Sequence, residues 1–214
     1  MNEDFTEVIG IFPTPLYFAL CQKDVAEAVE FLDTAKLRSN NAYENVQTYG
    51  SVSEDTYILD NPKCKLLRDF IITHLEIYAR EVLAYRFEKI ELTQSWVSIK
   101  NVNEQHTYHR HPNSLISGCF YWQEPPFEPL SFLRPSKITQ FEICRDASIE
   151  NDFAWDFYKV NPRKNTLLLF PSYLKHGVDK NSFSTPRKSL AFNSMIIGKV
   201  GSNPNLSELD FSRL

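Results

Sequence analysis

Near residue 90 the spacing of apolar residues switches from three or four to two, and it switches only once. Before the switch there are two helical stripes. Val25, Ala28, Val29 and Leu32 follow Asp24, a helix-capping residue with Glu27 three places on. The second stripe opens with Asn61 as cap and Pro62 in the first turn, then runs through Leu67, Phe70, Ile71, Leu75, Tyr78 and Val82. His74 lies on that stripe and reads as a packed core histidine. After Phe87 the alternation predicts strands at 91–100, 115–123, 138–144, 166–170 and 187–197, with proline-rich breaks at 125–135 and 161–163. An earlier run, 8–18, reads as an opening strand interrupted by prolines, and 38–58 as a long polar connection. Two helices followed by strands with no helices between them argue against a parallel α/β sheet. The fold class expected is mainly β with flanking helices (α+β), an antiparallel barrel or jelly roll with the helices laid on one sheet.

The 214 residues suffice for one domain with a substantial core, helical over about 1–90 and β over about 91–200. An aromatic share of 14% favours the β-rich reading. A net charge of −4 supplies no general basic field for nucleic acid. The four cysteines (Cys21, Cys64, Cys119, Cys144) are far apart, with neither a zinc-ribbon spacing nor a disulfide framework. The N-terminus is acidic, and no apolar run approaches the roughly 18 residues needed to span a bilayer. A soluble cytoplasmic protein with reduced thiols is expected.

Three of the five histidines fall within six residues, at His106, His109 and His111. On a strand, residues two apart share a face, so His109 and His111 aim two imidazoles at one point. Pro112 biases His111 toward extended backbone. His176 follows the apolar run Leu167–Phe170 and a turn, at a strand end where barrel sites form. Three imidazoles from separate segments make a plausible cradle for iron, zinc, copper or nickel. Eleven residues after His176 comes Arg187, with Ser189 on the same strand face. A buried guanidinium needs an anion, its planar fork suits a carboxylate, and a serine hydroxyl adds a hydrogen bond.

Metal ligands followed at a fixed step by a carboxylate anchor resemble the pattern of the iron- and 2-oxoglutarate-dependent oxygenases. The sequence is most similar to the 2-oxoglutarate/Fe(II) oxygenase family common in marine bacteria and their phages. The resemblance rests on IFPTPLY, TQSWVSIKNVNEQHTYHRHPNSLISGCFYW, NTLLLFPSYLKHGV and PRKSLAFNSMIIG, and is densest over 93–123 and 165–198. It implies a double-stranded β-helix whose open end holds Fe(II). It also implies His109, His111 and His176 as metal ligands, with Arg187 and Ser189 on the far carboxylate of 2-oxoglutarate. The implied reaction uses O2, releases succinate and CO2, and hydroxylates a C–H bond of a substrate the sequence does not reveal. The family usually has a carboxylate where His111 stands. Three neutral imidazoles leave a divalent centre at +2, which the 2-oxoglutarate dianion neutralises. Alternatively, Glu104 or Asp179 closes the ligand set in place of one histidine. A cupin-type metalloenzyme and a non-enzymatic jelly-roll binding module are the competing readings, although residues 113–116 offer no cupin-like acid.

Alternation also groups Ser117, Cys119 and Tyr121, so a buried Cys119 brings Tyr121 inward, as a cosubstrate contact or as an ordinary core tyrosine. Asn193 shares the face of Arg187 and Ser189 and is a further candidate for cosubstrate binding. His106 is expected at the entrance or in solvent, and Trp96, Trp122 and Trp155 as packing. Segments 38–58 and 122–135 are candidate lids.

Overall fold

The computed structural model describes residues 6–40, 49–135, 144, 146, 148, 153 and 155–211. The N-terminal part contains β1 (Tyr17–Leu20), α1 (Ala26–Asp33), β2 (Leu37–Ser39), β3 (Ser51–Ser53) and α2 (Lys65–Ile77). The rest is strand: β4 (Lys89–Lys100), β5 (His106–His109), β6 (Ile116–Tyr121), β7 (Leu130–Leu133), β8 (Phe157–Val160), β9 (Thr166–Pro171), β10 (His176–Val178), β11 (Arg187–Ile197), β12 (Lys199–Val200) and β13 (Leu209–Asp210). Seven strands form one antiparallel sheet in the order β1-β9-β6-β11-β4-β3-β2, and four form a second in the order β5-β10-β7-β8. This is the mainly β architecture with two helices that the change of period predicts. Among the described residues no helix is long and apolar enough to cross a membrane.

The helical layer starts where its capping chemistry says it should. Asn61 Oδ1 accepts the Lys63 N–H at 3.0 Å, Pro62 opens a short 3-10 turn, and α2 follows. Leu67, Phe70, Ile71, Leu75 and Tyr78 are buried as the stripe predicts. Val82 is not, because the last turn widens into a π-helix at Tyr78–Val82 and leaves it 45% exposed. His74 packs edge-on against Phe70 and hydrogen-bonds the Tyr17 hydroxyl at 2.7 Å, a structural role. In α1, Asp24 Oδ1 accepts the Ala26 N–H at 3.1 Å.

The opening strand is shorter than 8–18. Only Tyr17–Leu20 pairs, since Pro13 and Pro15 have no N–H to give a ladder. Segment 38–58 is not simply a connection: β2 and β3 sit inside or beside it and extend the large sheet past β4. The expected strand at 138–144 lies outside the described residues except for Cys144, which is exposed and not in a strand.

Two cores flank the large sheet. Helix residues Leu32, Leu67, Ile71 and Leu75 pack on Val97, Phe120, Leu167, Leu169, Leu190 and Phe192. On the opposite face Cys119, Tyr121, Leu168 and Phe170 pack on Phe127, Leu130, Phe132 and Val178 of the smaller sheet. Successive residues of β6, β9 and β11 therefore serve different cores, as a period of two requires. Gly118 is a tight point between them: a Cβ there would lie 2.4 Å from the Phe192 ring and 2.7 Å from Leu169.

Candidate metal centre

The space between the two sheets is lined by His106, His109, His111, His176, Trp96, Ser98, Cys119, Phe170, Arg187, Ser189 and Ala191, among others. The smaller sheet delivers the histidines. β10 pairs with β5 in the register His176 to His109, and His176 also lies opposite Phe132 of β7. His111 does not sit on the strand with His109, because β5 ends at His109. It is held instead by its own N–H, which donates to the Ser172 carbonyl at 3.1 Å. The outcome is still convergence. One nitrogen from each of His109, His111 and His176 lies within 4.8 Å of the others, and the His111 and His176 Nε2 atoms are 3.2 Å apart.

Hydrogen bonds orient two of the rings. Nδ1 of His109 is 2.8 Å from the Thr107 carbonyl, and Nδ1 of His176 is 2.9 Å from the Leu174 carbonyl. A carbonyl only accepts, so Nδ1 carries the proton and Nε2 presents its lone pair to the centre. Burial holds the imidazoles neutral, which is the ligating form. It lowers His111 to about 4 and His176 to about 3, with His109 adding to both shifts, and it also lowers His109. The His176 Nε2 lone pair faces His111 Nε2 at 3.2 Å, so His111 either donates a proton to it or shares a cation with it. Ligands bonded at ~2.1 Å and at right angles stand about 3 Å apart, so the His111–His176 pair fits a divalent transition metal, with the His109 nitrogen within 4.8 Å of both.

The carboxylate alternatives are engaged elsewhere. Glu104 Oε2 accepts the Asn101 N–H at 2.7 Å. Asp179 accepts from the Tyr108 hydroxyl and from Lys159, each at 2.9 Å. His106 does not face solvent. It lines the cavity and stacks on His109, with centroids 4.4 Å apart and planes 28° apart. Trp96 is more than packing: it lines the same cavity, 6.0 Å from the His111 ring.

Arg187 is 2% exposed. Its Nε donates to the Glu128 carbonyl at 3.0 Å, Nη1 to Ser189 Oγ at 3.1 Å, and Nη2 to the Tyr121 hydroxyl at 2.8 Å. Each acceptor is neutral, and among the described residues no carboxylate is in ion-pair contact with the guanidinium. Tyr121 is fully buried, with Phe127 stacked on it at 5.8 Å. Segment 122–135 thus closes the Arg187 end through core contacts rather than as a free lid. Asn193 lies further along β11, and its Oδ1 accepts from Ser117 Oγ at 2.9 Å. Ser117 in turn meets Ser172, whose carbonyl holds His111. Sequence reasoning missed Lys100, which is fully buried opposite Arg187. A lysine at a strand end ordinarily reads as solvated, and only its two-residue phase with Trp96 and Ser98 could have flagged it.

Comparison with known proteins agrees with this geometry. Residues 94–193 match the family described as "Putative 2OG-Fe(II) oxygenase". No curated protein matches the chain. A 2OG-Fe(II) oxygenase-family oxidoreductase from Burkholderia pseudomallei superposes with a TM-score of 0.55 at 11% identity, over 80% of this chain and 77% of that one. HygX from Streptomyces hygroscopicus, solved with nickel and 2-oxoglutarate bound, gives 0.55 at 13% identity over 85% and 82%. A Pseudomonas putida prolyl-4-hydroxylase gives 0.54 at 13% over 84% and 92%. At such identities the structural likeness speaks for the fold, the jelly roll of these enzymes. Over residues 94–193 the chain thus matches a 2OG-Fe(II) oxygenase domain, the domain of a class of oxidoreductases.

Proposed function

We propose that this chain is a dioxygenase that hydroxylates a C–H bond of an organic substrate, with 2-oxoglutarate converted to succinate and CO2. One observation carries the reading: three neutral, converging imidazoles and a buried guanidinium bonded to neutral acceptors line a single cavity. In this reading His109, His111 and His176 hold Fe(II), and Arg187 with Ser189 binds the far carboxylate of 2-oxoglutarate. Tyr121 holds the guanidinium at the angle that carboxylate needs. Asn193 acts through the Ser117–Ser172 hydroxyl chain that braces His111. Iron with its keto-acid cosubstrate supplies the oxidant, a task no side chain can perform.

The protein's share is position and exclusion. Phe170, Leu130 and Val178 wall the cavity with apolar surface and keep bulk water off the metal side. Backbone carbonyls at Thr107 and Leu174 fix the ring tautomers before any ligand arrives. Helical residues up to about 90 and the β core act as one domain, because the helices cover the back of the sheet that carries Arg187.

The test is anaerobic loading of the full chain with Fe(II), followed by titration with 2-oxoglutarate. A weak visible charge-transfer band that saturates with 2-oxoglutarate is expected. Bound iron with no such band would leave a metal site without the cosubstrate chemistry, and failure to bind iron would remove the centre itself.

A further inference from the structure

Lys100 ends β4 with none of its surface exposed, and the β4–β11 register sets it opposite Arg187. On the same sheet face Ser98 pairs with Ser189 and Trp96 with Ala191. Five of these six residues line the cavity, and Lys100 reaches the same wall by folding back along its strand. Its Nζ donates to Ser98 Oγ at 2.9 Å, with the Ile99 carbonyl at 3.4 Å. Arg187 donates to Ser189 Oγ. A cross-strand pair of serines is therefore bracketed by two buried cations, one on each strand.

The lysine is held there by its surroundings. Asn181 Nδ2 donates to the Lys100 carbonyl at 3.0 Å. Gly50, at φ +70°, lies against the lysine stem so closely that a Cβ would come within 2.8 Å of Cδ. Among the described residues no carboxylate forms an ion pair with Lys100 or Arg187, and Glu104, the acid that acts on Lys100, is bonded to the Asn101 N–H. Two buried cations with neutral partners cost folding free energy, and an entering anion offsets that cost.

We propose that Lys100 is a second cationic contact for the far carboxylate of the cosubstrate, shared with Arg187 across the Ser98–Ser189 pair, and so a determinant of preference for keto diacids over keto monoacids. The assignment rests on the cosubstrate reading above. It has a thermodynamic signature. Burial pushes the Lys100 amine down to about 7, with Arg187 lowering it further and Glu104 opposing. His106 and His109, on β5, are the other titratable groups within its field, and burial keeps both neutral near pH 7. A carboxylate beside the amine favours the ammonium form and raises its pKa. Binding above pH 7 therefore takes up a proton, and affinity falls as pH rises through that range.

The experiment is anaerobic calorimetry on the Fe(II)-loaded full chain, wild type and Lys100→Met, with 2-oxoglutarate and with 2-oxobutyrate, which lacks the far carboxylate. Lys100→Met should weaken 2-oxoglutarate by about tenfold, the scale of one charged hydrogen bond, and leave 2-oxobutyrate unchanged. Its melting temperature should hold or rise, and proton uptake at pH 8, read from buffers of different ionisation heat, should vanish. An equal loss for both keto acids, or unchanged affinity and proton uptake, overturns the assignment while leaving the cosubstrate reading intact. If wild type binds neither keto acid, that reading falls and this assignment with it. Should Lys100→Met not fold, the wild-type proton count decides, and no uptake at pH 8 overturns the role.

Discussion

On β11, Leu190 and Phe192 face the helices, whereas Arg187, Ser189 and Ala191, one residue out of step, face the smaller sheet. β4 repeats the division, with Val97 toward the helices and Trp96 and Ser98 toward the cavity. The two faces solve opposite problems. On the helix side buried hydroxyls find neutral backbone partners: the Tyr78 hydroxyl donates to the Pro15 carbonyl, and the Ser95 and Ser53 hydroxyls accept the Leu59 and Val97 N–H groups. The Cys64 thiol there is pushed up to about 11 by burial and stays protonated. On the cavity side a guanidinium and an amine are buried with no carboxylate in ion-pair contact among the described residues, and imidazole nitrogens converge. One face is complete when the chain has folded; in the function proposed, the other is completed by its ligands. The same strands therefore carry stability and function in alternate residues, and single substitutions should separate them.

The largest separation is expected from His176→Ala. It removes the most buried member of the triad, one whose Nδ1 proton is already committed to a backbone carbonyl. Iron affinity should fall by more than the roughly 10–100-fold that loss of a supporting partner costs. Circular dichroism should remain that of the folded chain. Full iron occupancy in this variant would remove His176 from the centre. Phe192→Ala is the mirror image. A ring packed among Leu190, Leu169 and the helices is lost, so unfolding free energy should drop by about 3–5 kcal/mol, with iron affinity unchanged at temperatures where the variant is folded. A denaturant midpoint equal to wild type would show that the helix-side core is not the main source of stability.

The division between faces was only partly readable from the amino-acid order. Strand β11 is predicted to its ends, because eleven residues give a period of two ample room to show. β5, β7, β8 and β10 have three or four residues each, too few to show a period, and they build the sheet that carries the histidines. His109, His111 and His176 are legible all the same, since scarce residue types stand out without any secondary-structure reading. The premise that one strand holds both His109 and His111 is wrong, and they converge for another reason: Ser172, at the end of β9, captures the His111 N–H. β2 and β3 are hidden in a polar run because each is three residues long, too short to show a period, and β2 is an exposed edge strand with little apolar surface to bury. Lys100 and Trp96 belong to the site through a register between strands about ninety positions apart, and no local pattern encodes that.

Arg187→Ala tests the cavity side alone. The guanidinium bonds only neutral acceptors, so its loss frees the Tyr121 hydroxyl and the Glu128 carbonyl but breaks no ion pair. Affinity for 2-oxoglutarate should weaken by roughly 2–5 kcal/mol, the scale for removing one partner of a desolvated charge pair. Iron binding should persist, because no histidine of the triad is hydrogen-bonded to Arg187. Unchanged 2-oxoglutarate affinity would mean that the carboxylate anchor lies elsewhere.

The smallest expected effect comes from the residue that stands between the two faces. Gly118 contributes backbone to the cavity wall, yet a Cβ built on it points to the helix side, into Phe192 and Leu169. Those neighbours are buried and already packed, so the ring must shift to admit a methyl group. Gly118→Ala should therefore lower unfolding free energy by about 1–3 kcal/mol, as overpacking of a filled core does. The added atom enters the apolar layer, away from the imidazoles, so affinities for iron and for 2-oxoglutarate should match wild type. A loss of iron affinity comparable to the loss of stability would show that strain crosses the sheet through β6. In that case the two faces, distinct in composition, would be one unit in energy.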